Sequence, residues 1–72
     1  MSTEKIINNT VFLMHTAANA YAERHHLTRQ GFLSEDDKFH FLDLISKCPD
    51  YFDPLTPDEM VDELEKYALR VA

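Results

Sequence analysis

Glycine, cysteine and tryptophan are scarce in this sequence, which has one glycine, one cysteine and no tryptophan in 72 residues. With Gly31 as its single glycine, the chain has no glycine-rich loop of the kind that binds phosphate groups. With Cys48 as its single cysteine, it has neither an intramolecular disulfide nor a cluster of thiolates for a zinc site. These absences exclude nucleotide-binding loops and small folds held together by disulfides or cysteine-bound zinc.

Long apolar runs are missing as well. The longest uninterrupted run is the four residues Val11 to Met14, whereas a membrane-spanning helix needs roughly 20. Residues 1–4 have neither the basic nor the apolar region of a signal peptide, so we expect no such segment. We therefore expect a cytoplasmic protein with a single domain over residues 1–72.

Positive charge is scarce in the second part of the chain. The net charge is −6, with three cations and two anions in residues 1–30 but four cations and eleven anions in residues 31–72. An acidic surface repels phosphate backbones, so we expect no direct nucleic-acid binding. Five of these eleven carboxylates are interpreted as solvated residues in the first turns of helices, where the helix dipole favours anions; they are Glu35, Asp36, Asp37, Asp58 and Glu59.

Helical periodicity is abundant, and no segment has a convincing strand pattern. The predicted helices cover residues 3–26, 34–47 and 57–70, with a short helical turn after Thr28. The clearest local pattern starts the last helix, because Thr56 can cap it, Pro57 suits its first position and Glu59 completes a capping box. The chain is therefore predicted to be all-α, a compact bundle of three to four helices.

The first predicted helix has an unusually wide apolar surface. Its apolar residues form a main stripe and a neighbouring one, which together span roughly 200°. The main stripe contains Ile7, Val11, Met14, Ala18, Tyr21, Ala22 and His25, and the neighbouring stripe contains Ile6, Leu13, Ala17 and Ala20. This width predicts a central helix. Phe12 projects from the polar side, either covered by another segment or exposed as an anchor for a partner.

The middle of the chain offers further apolar residues. The predicted helix 34–47 is apolar on nearly every side, so we expect it to be almost enclosed. Phe41 and Leu44 belong either to the core or to a surface shared with a partner, and Cys48 is expected to be a small buried residue. The proline-bounded segment after it contains Tyr51 and Phe52, which either cover the core or contact a partner.

The polar residues do not form a recognisable catalytic or metal-binding pattern. Two ligands on one helix need a spacing of three or four residues, but His25 and His26 are adjacent and diverge by about 100°. His15 lies too far along the helix to join them. Paired carboxylates are predicted on exposed faces, where nothing tunes their pKa values. We therefore expect no enzyme activity, no catalytic residues, no metal and no cofactor.

Two groups of residues at the two ends of the chain carry a family resemblance. They are Phe12-Leu13, Ala18, Tyr21-Ala22-Glu23 and Leu27-Thr28, and then Asp62-Glu63-Leu64-Glu65-Lys66-Tyr67. This order, over most of residues 11–68, resembles a family of short bacterial all-helical proteins of unknown function. In the middle the chain departs from the family pattern, because residues 50–53 lack its histidine. Members are often encoded beside an ADP-ribosyltransferase-like protein, so the resemblance implies an antitoxin-like or accessory role.

These patterns predict a small non-enzymatic protein–protein interaction module. The predicted partner-binding residues are Phe12, Phe41, Leu44, Tyr51 and Phe52, with an acidic rim from the last helix. Homodimerisation is the simplest form of this hypothesis, and a toxin-like partner is the form that the resemblance implies. The alternative is an acidic nucleic-acid mimic that binds a DNA-binding protein. It requires the carboxylates of residues 34–37 and of the last helix to share one continuous face.

Overall fold

Five α-helices form the fold in the computed structural model, which describes residues 2–71, with side chains from residue 9 onward. They are α1 (Ser2–Arg24), α2 (Arg29–Phe39), α3 (Phe41–Lys47), α4 (Pro49–Phe52) and α5 (Pro57–Val71). No strand occurs within residues 2–71, so the all-α prediction is confirmed. The helices number five rather than three or four, because the predicted helix 34–47 is divided and α4 is a separate single turn.

Local capping explains where α2 and α5 begin. The hydroxyl of Thr28 accepts a hydrogen bond from the backbone N–H of Gly31 at 3.0 Å and caps α2 six residues before the predicted cap at Ser34. The short turn predicted after Thr28 is thus the beginning of α2. At α5 the capping box is confirmed. The backbone N–H of Glu59 donates to Thr56 Oγ1 at 3.2 Å, and the N–H of Thr56 donates to Glu59 Oε1 at 2.9 Å.

A single residue, His40, separates α2 from α3. Its backbone is left-handed, with φ of 59° and ψ of 45°, and its N–H donates to the carbonyl of Asp36 at 2.7 Å. The carboxylate of Asp36 also accepts the N–H of Leu42 at 2.8 Å. Asp36 therefore lies late in α2 rather than in a first turn, and it caps the helix that follows.

Replacing this cap should weaken the fold. For Asp36→Ala we expect a loss of about 1 kcal/mol in the free energy of unfolding, the usual value of a side-chain helix cap. Urea denaturation followed by circular dichroism measures it, with the exposed neighbour variant Asp37→Ala as the matched control. Equal stability of the two variants would show that the Asp36 carboxylate does not hold α3.

The core forms along one side of α1, which contacts each of the other four helices. Its buried residues are Leu13, Ala17, Tyr21, Phe32, Phe41, Ile45, Phe52, Met60, Val61 and Leu64. The predicted neighbouring stripe of α1, through Leu13 and Ala17, thus faces the core, and Tyr21 of the predicted main stripe is buried beside it. Val11, from the predicted main stripe, is 45% exposed. The side chains of Ile6 and Ile7 lie outside the described residues.

Two of the predicted partner-binding residues belong to the core, which corrects their assignment. Phe41 is fully buried and Phe52 is 2% exposed. The seven-residue α3 has one buried face, which consists of Phe41 and Ile45. The turn α4 packs on α1. The proline-bounded segment thus covers the core with Phe52, which is the first of the two interpretations of this segment. Leu44 is partly buried against this core.

Cys48 also differs from its prediction, because it is exposed rather than buried. It follows the last residue of α3, and its backbone has left the helical region, with φ of −130° and ψ of 52°. The residue before a proline is disfavoured in the helical region. The side chain of Cys48 is therefore exposed, whereas Ile45 before it and Phe52 after it are buried in the core.

Candidate protein-binding groove

Six large apolar side chains remain exposed among the described residues. They are Val11, Phe12, Leu33, Tyr51, Leu69 and Val71. Three of them, Val11, Phe12 and Leu33, come from α1 and the facing part of α2. This concentration marks the surface of α1 and α2 as the candidate site.

A groove of about 480 Å³ runs between α1 and the segment that follows it. This volume lies within the range of about 300–1,000 Å³ typical of binding sites. Its floor is one stripe of α1, and its opposite wall is formed by side chains of the α1–α2 connection, α2 and α3. The floor residues are Val11, Met14, Ala18 and Ala22, and the wall residues are Leu27, Phe32, Leu33 and Leu42.

The wide apolar arc of α1 therefore has two roles. The stripe through Leu13, Ala17 and Tyr21 packs into the core, and the stripe through Val11 and Met14 lines the groove. Both stripes are apolar because both face other side chains. The groove stripe is less covered, since Val11 is 45% exposed and Met14 is partly buried.

Phe12 extends the apolar surface beyond the groove. It is 64% exposed and is not one of the lining residues. His15 and Asn19, which line the groove, lie three and seven residues further along α1 and therefore on the same side of the helix as Phe12. An occupant of the groove that crosses His15 reaches the Phe12 ring.

The polar part of the groove is uncharged or positive. It consists of His15, Asn19 and Arg29, and the described lining includes no aspartate or glutamate, in a chain that has 13 of them. The side chain of Arg29 forms no hydrogen bond or ion pair with the described residues. Among the described residues, the groove of this acidic protein thus presents a cation with no ionic partner.

Tyr51, another predicted partner-binding residue, is exposed but lies outside this groove. Its hydroxyl donates a hydrogen bond of 2.6 Å to the Glu63 carboxylate of α5. This bond raises the pKa of Tyr51 and lowers the pKa of Glu63. Of the five predicted residues, Phe12 alone is both exposed and adjacent to the groove.

Basic residues at the end of α1 form ion pairs with carboxylates of α5. The Arg24 guanidinium contacts Asp62 at 2.7 Å, Glu65 at 3.3 Å and Asp58 at 3.7 Å. The hydrogen bond to Asp62 is the main reason that the pKa of Arg24 is raised. His25 Nε2 also lies 2.8 Å from Glu65. The acidic rim predicted for this helix is therefore partly neutralised within the chain.

Other kinds of site have less support in the described residues. Within residues 9–71, no three histidine, cysteine, aspartate or glutamate side chains are placed to hold a metal ion. None of the helices between residues 2 and 71 combines the length and the apolar character that a bilayer crossing requires.

No protein-family model matches this chain, and no curated protein or solved structure matches it significantly. The resemblance to the short bacterial family therefore stays a prediction.

Proposed function

We propose that this chain is a small non-enzymatic protein that binds another protein through the apolar surface of α1 and α2. The observation that carries the proposal is the groove with Val11, Phe12 and Leu33 exposed around it. None of these three side chains belongs to the buried core. Contiguous apolar patches on a small protein commonly mark interaction sites, and aromatic side chains dominate binding when a partner covers them.

The charge of the groove favours a different protein over a second copy as the partner. A two-fold dimer through this surface places the same patch of both copies together. Both Arg29 side chains would then approach one interface, and the described lining offers no carboxylate to pair with them. Like charges across an interface oppose binding. An antitoxin-like role, which the family resemblance implies, requires such a different partner.

The alternative function, a nucleic-acid mimic, has weaker support. It requires free carboxylates on one continuous face, but Asp36 caps α3 and the carboxylates of Asp62 and Glu65 contact Arg24. Salt-sensitive binding to a basic protein would favour this alternative, whereas binding through the groove depends mainly on apolar contact and is less sensitive to salt.

Capture from an extract of the native host, with three bait proteins compared, tests the proposal. The baits are the unchanged chain, Leu33→Asp at the groove wall and Leu69→Asp on α5, where the exposed leucine lies outside the groove lining. We expect a protein retained by the unchanged chain and by Leu69→Asp to be lost with Leu33→Asp. A charge at an apolar contact should weaken binding about 30-fold, the equivalent of about 2 kcal/mol.

Two controls make this comparison decisive. Thermal unfolding must be equal for the three baits, so that lost capture reports binding rather than folding. Sedimentation velocity of the purified chain should show a monomer. Equal capture by Leu33→Asp and the unchanged chain, or a dimer that Leu33→Asp dissociates, would contradict a groove that receives a different protein.

A further inference from the structure

The floor of the groove has the length and the shape that suit a docked helix. From Val11 to Ala22 it extends over about 16 Å, or about three helical turns. Its large residues lie toward one end and its alanines, Ala18 and Ala22, toward the other. Small residues let the axis of a second helix approach to about 8–10 Å. The exposed Val11 and Leu33 at the edges offer apolar contact to side chains spaced three and four residues apart.

The position of Arg29 is unfavourable for the fold itself. Arg29 is the first residue of α2, and the first turn of α2 contains no acidic residue. A cation at this end of a helix opposes the helix dipole. Its side chain is unpaired among the described residues and lines the groove together with His15. A carboxylate placed in the groove would be attracted by Arg29 and by the positive end of α2.

We infer that the groove receives an amphipathic helix of the partner, and that this helix carries a carboxylate beside its apolar face that pairs with Arg29. The inference rests on the proposed function and specifies the chemistry of the partner segment. The apolar side chains of the helix occupy the space between Val11 and Leu33, and Phe12 packs against the end of the helix that extends past His15. The carboxylate fixes the direction of the helix, because it must reach the Arg29 end.

Selection from a displayed peptide library tests this inference without knowledge of the partner. The library has 20-residue peptides with apolar residues at positions i, i+3, i+4 and i+7 of each repeat and all other positions randomised. We expect the peptides enriched on the unchanged protein to share an aspartate or glutamate at one position beside the apolar pattern. Fluorescence anisotropy of labelled synthetic peptides then measures their affinities.

A charge exchange identifies the pair. Arg29→Glu should weaken an enriched peptide about tenfold or more, because an attraction becomes a repulsion. Replacing the shared acidic residue of the peptide with lysine should restore binding to Arg29→Glu and weaken binding to the unchanged protein. Arg29→Glu should unfold at the same or a higher temperature than the unchanged protein, since an acid in the first turn favours the helix. Lost binding in this variant therefore cannot come from lost folding.

Two further variants separate failure of the inference from failure of the proposed function. Val11→Asp should abolish peptide binding, and Leu69→Asp should leave it unchanged. Enriched peptides without a shared acid, or insensitive to Arg29→Glu but lost with Val11→Asp, would overturn the inference and leave the proposed function standing. Peptides that bind Val11→Asp normally would contradict both. Absence of any enriched peptide would also overturn the inference. So would binding of the fatty acid dodecanoate, used as a lipid probe of the groove, in the absence of peptide binding.

Discussion

Phe41→Ala is expected to lower the free energy of unfolding by about 3–5 kcal/mol, the usual cost of truncating a buried phenylalanine. Phe41 is fully buried, and its ring centroid lies 4.9 Å from that of Tyr21 and 5.3 Å from that of Phe39. A domain of this length has a total stability of about 4–11 kcal/mol. The substitution should therefore remove a large part of the stability of the fold.

Chemical denaturation measures this effect, and Phe12→Ala is the matched control. Both substitutions remove a phenylalanine ring, but Phe12 is 64% exposed. Its removal should change the free energy of unfolding by no more than about 0.5 kcal/mol. If Phe12→Ala proves the more destabilising of the two, the division between core and binding surface is wrong.

Leu13→Asp is expected to prevent folding, whereas Phe12→Asp should leave the fold intact. The two residues are adjacent on α1, but Leu13 is 2% exposed and lies among the core residues. An aspartate there loses the apolar contacts of leucine and leaves a carboxylate without a partner in a dry site. The combined cost, more than about 4 kcal/mol, is comparable with the whole stability of a domain of this size.

Circular dichroism and one-dimensional proton NMR of both variants test the rotational position of α1. We expect dispersed methyl signals and a cooperative thermal transition for Phe12→Asp, and neither for Leu13→Asp. A folded Leu13→Asp would mean that α1 does not turn the stripe of Leu13 and Ala17 toward the core. Because the two variants differ in position and not in charge added, solubility effects are matched.

Features determined by neighbouring residues could be predicted from the sequence. The capping box at Thr56 and Glu59 depends on residues three positions apart, and its two hydrogen bonds are present in the structure. The return of the proline-bounded segment with Phe52 over the core was one of two open interpretations. Helical periodicity and the lack of a convincing strand pattern predict the all-α class.

The boundary between α2 and α3 could not be predicted in the same way. Ser34, followed by acidic residues, has the pattern of a helix start, but Thr28 already caps a helix that continues through Ser34. The break occurs at His40, whose left-handed backbone is stabilised by the two contacts of Asp36. No short sequence rule places a helix boundary at a histidine between two phenylalanines.

The candidate site was predicted in part. The surplus of apolar residues on α1 indicates a surface for another chain, and the exposed position of Phe12 is one of the two alternatives that the sequence leaves open. Phe41 and Phe52 were misplaced because periodicity shows which residues share a face but not which face another element covers. Periodicity places Val11 on the main apolar stripe and does not show that this stripe is partly exposed. Leu33 lies in the segment after Thr28, where the sequence predicts only a short helical turn. The 200° width of the apolar arc of α1 is the sequence feature that indicates two apolar contact surfaces on this helix, one for the core and one for the groove.

The most direct test of the account is an NMR titration of the isotope-labelled protein with a helical peptide enriched on it. The amide signals of Val11, His15, Arg29 and Leu33 are expected to shift together as the peptide is added, while those of Leu69 at the end of α5 stay in place. Shifts confined to α5, with the signals of α1 and α2 unchanged, would contradict the assignment of the groove as the binding surface.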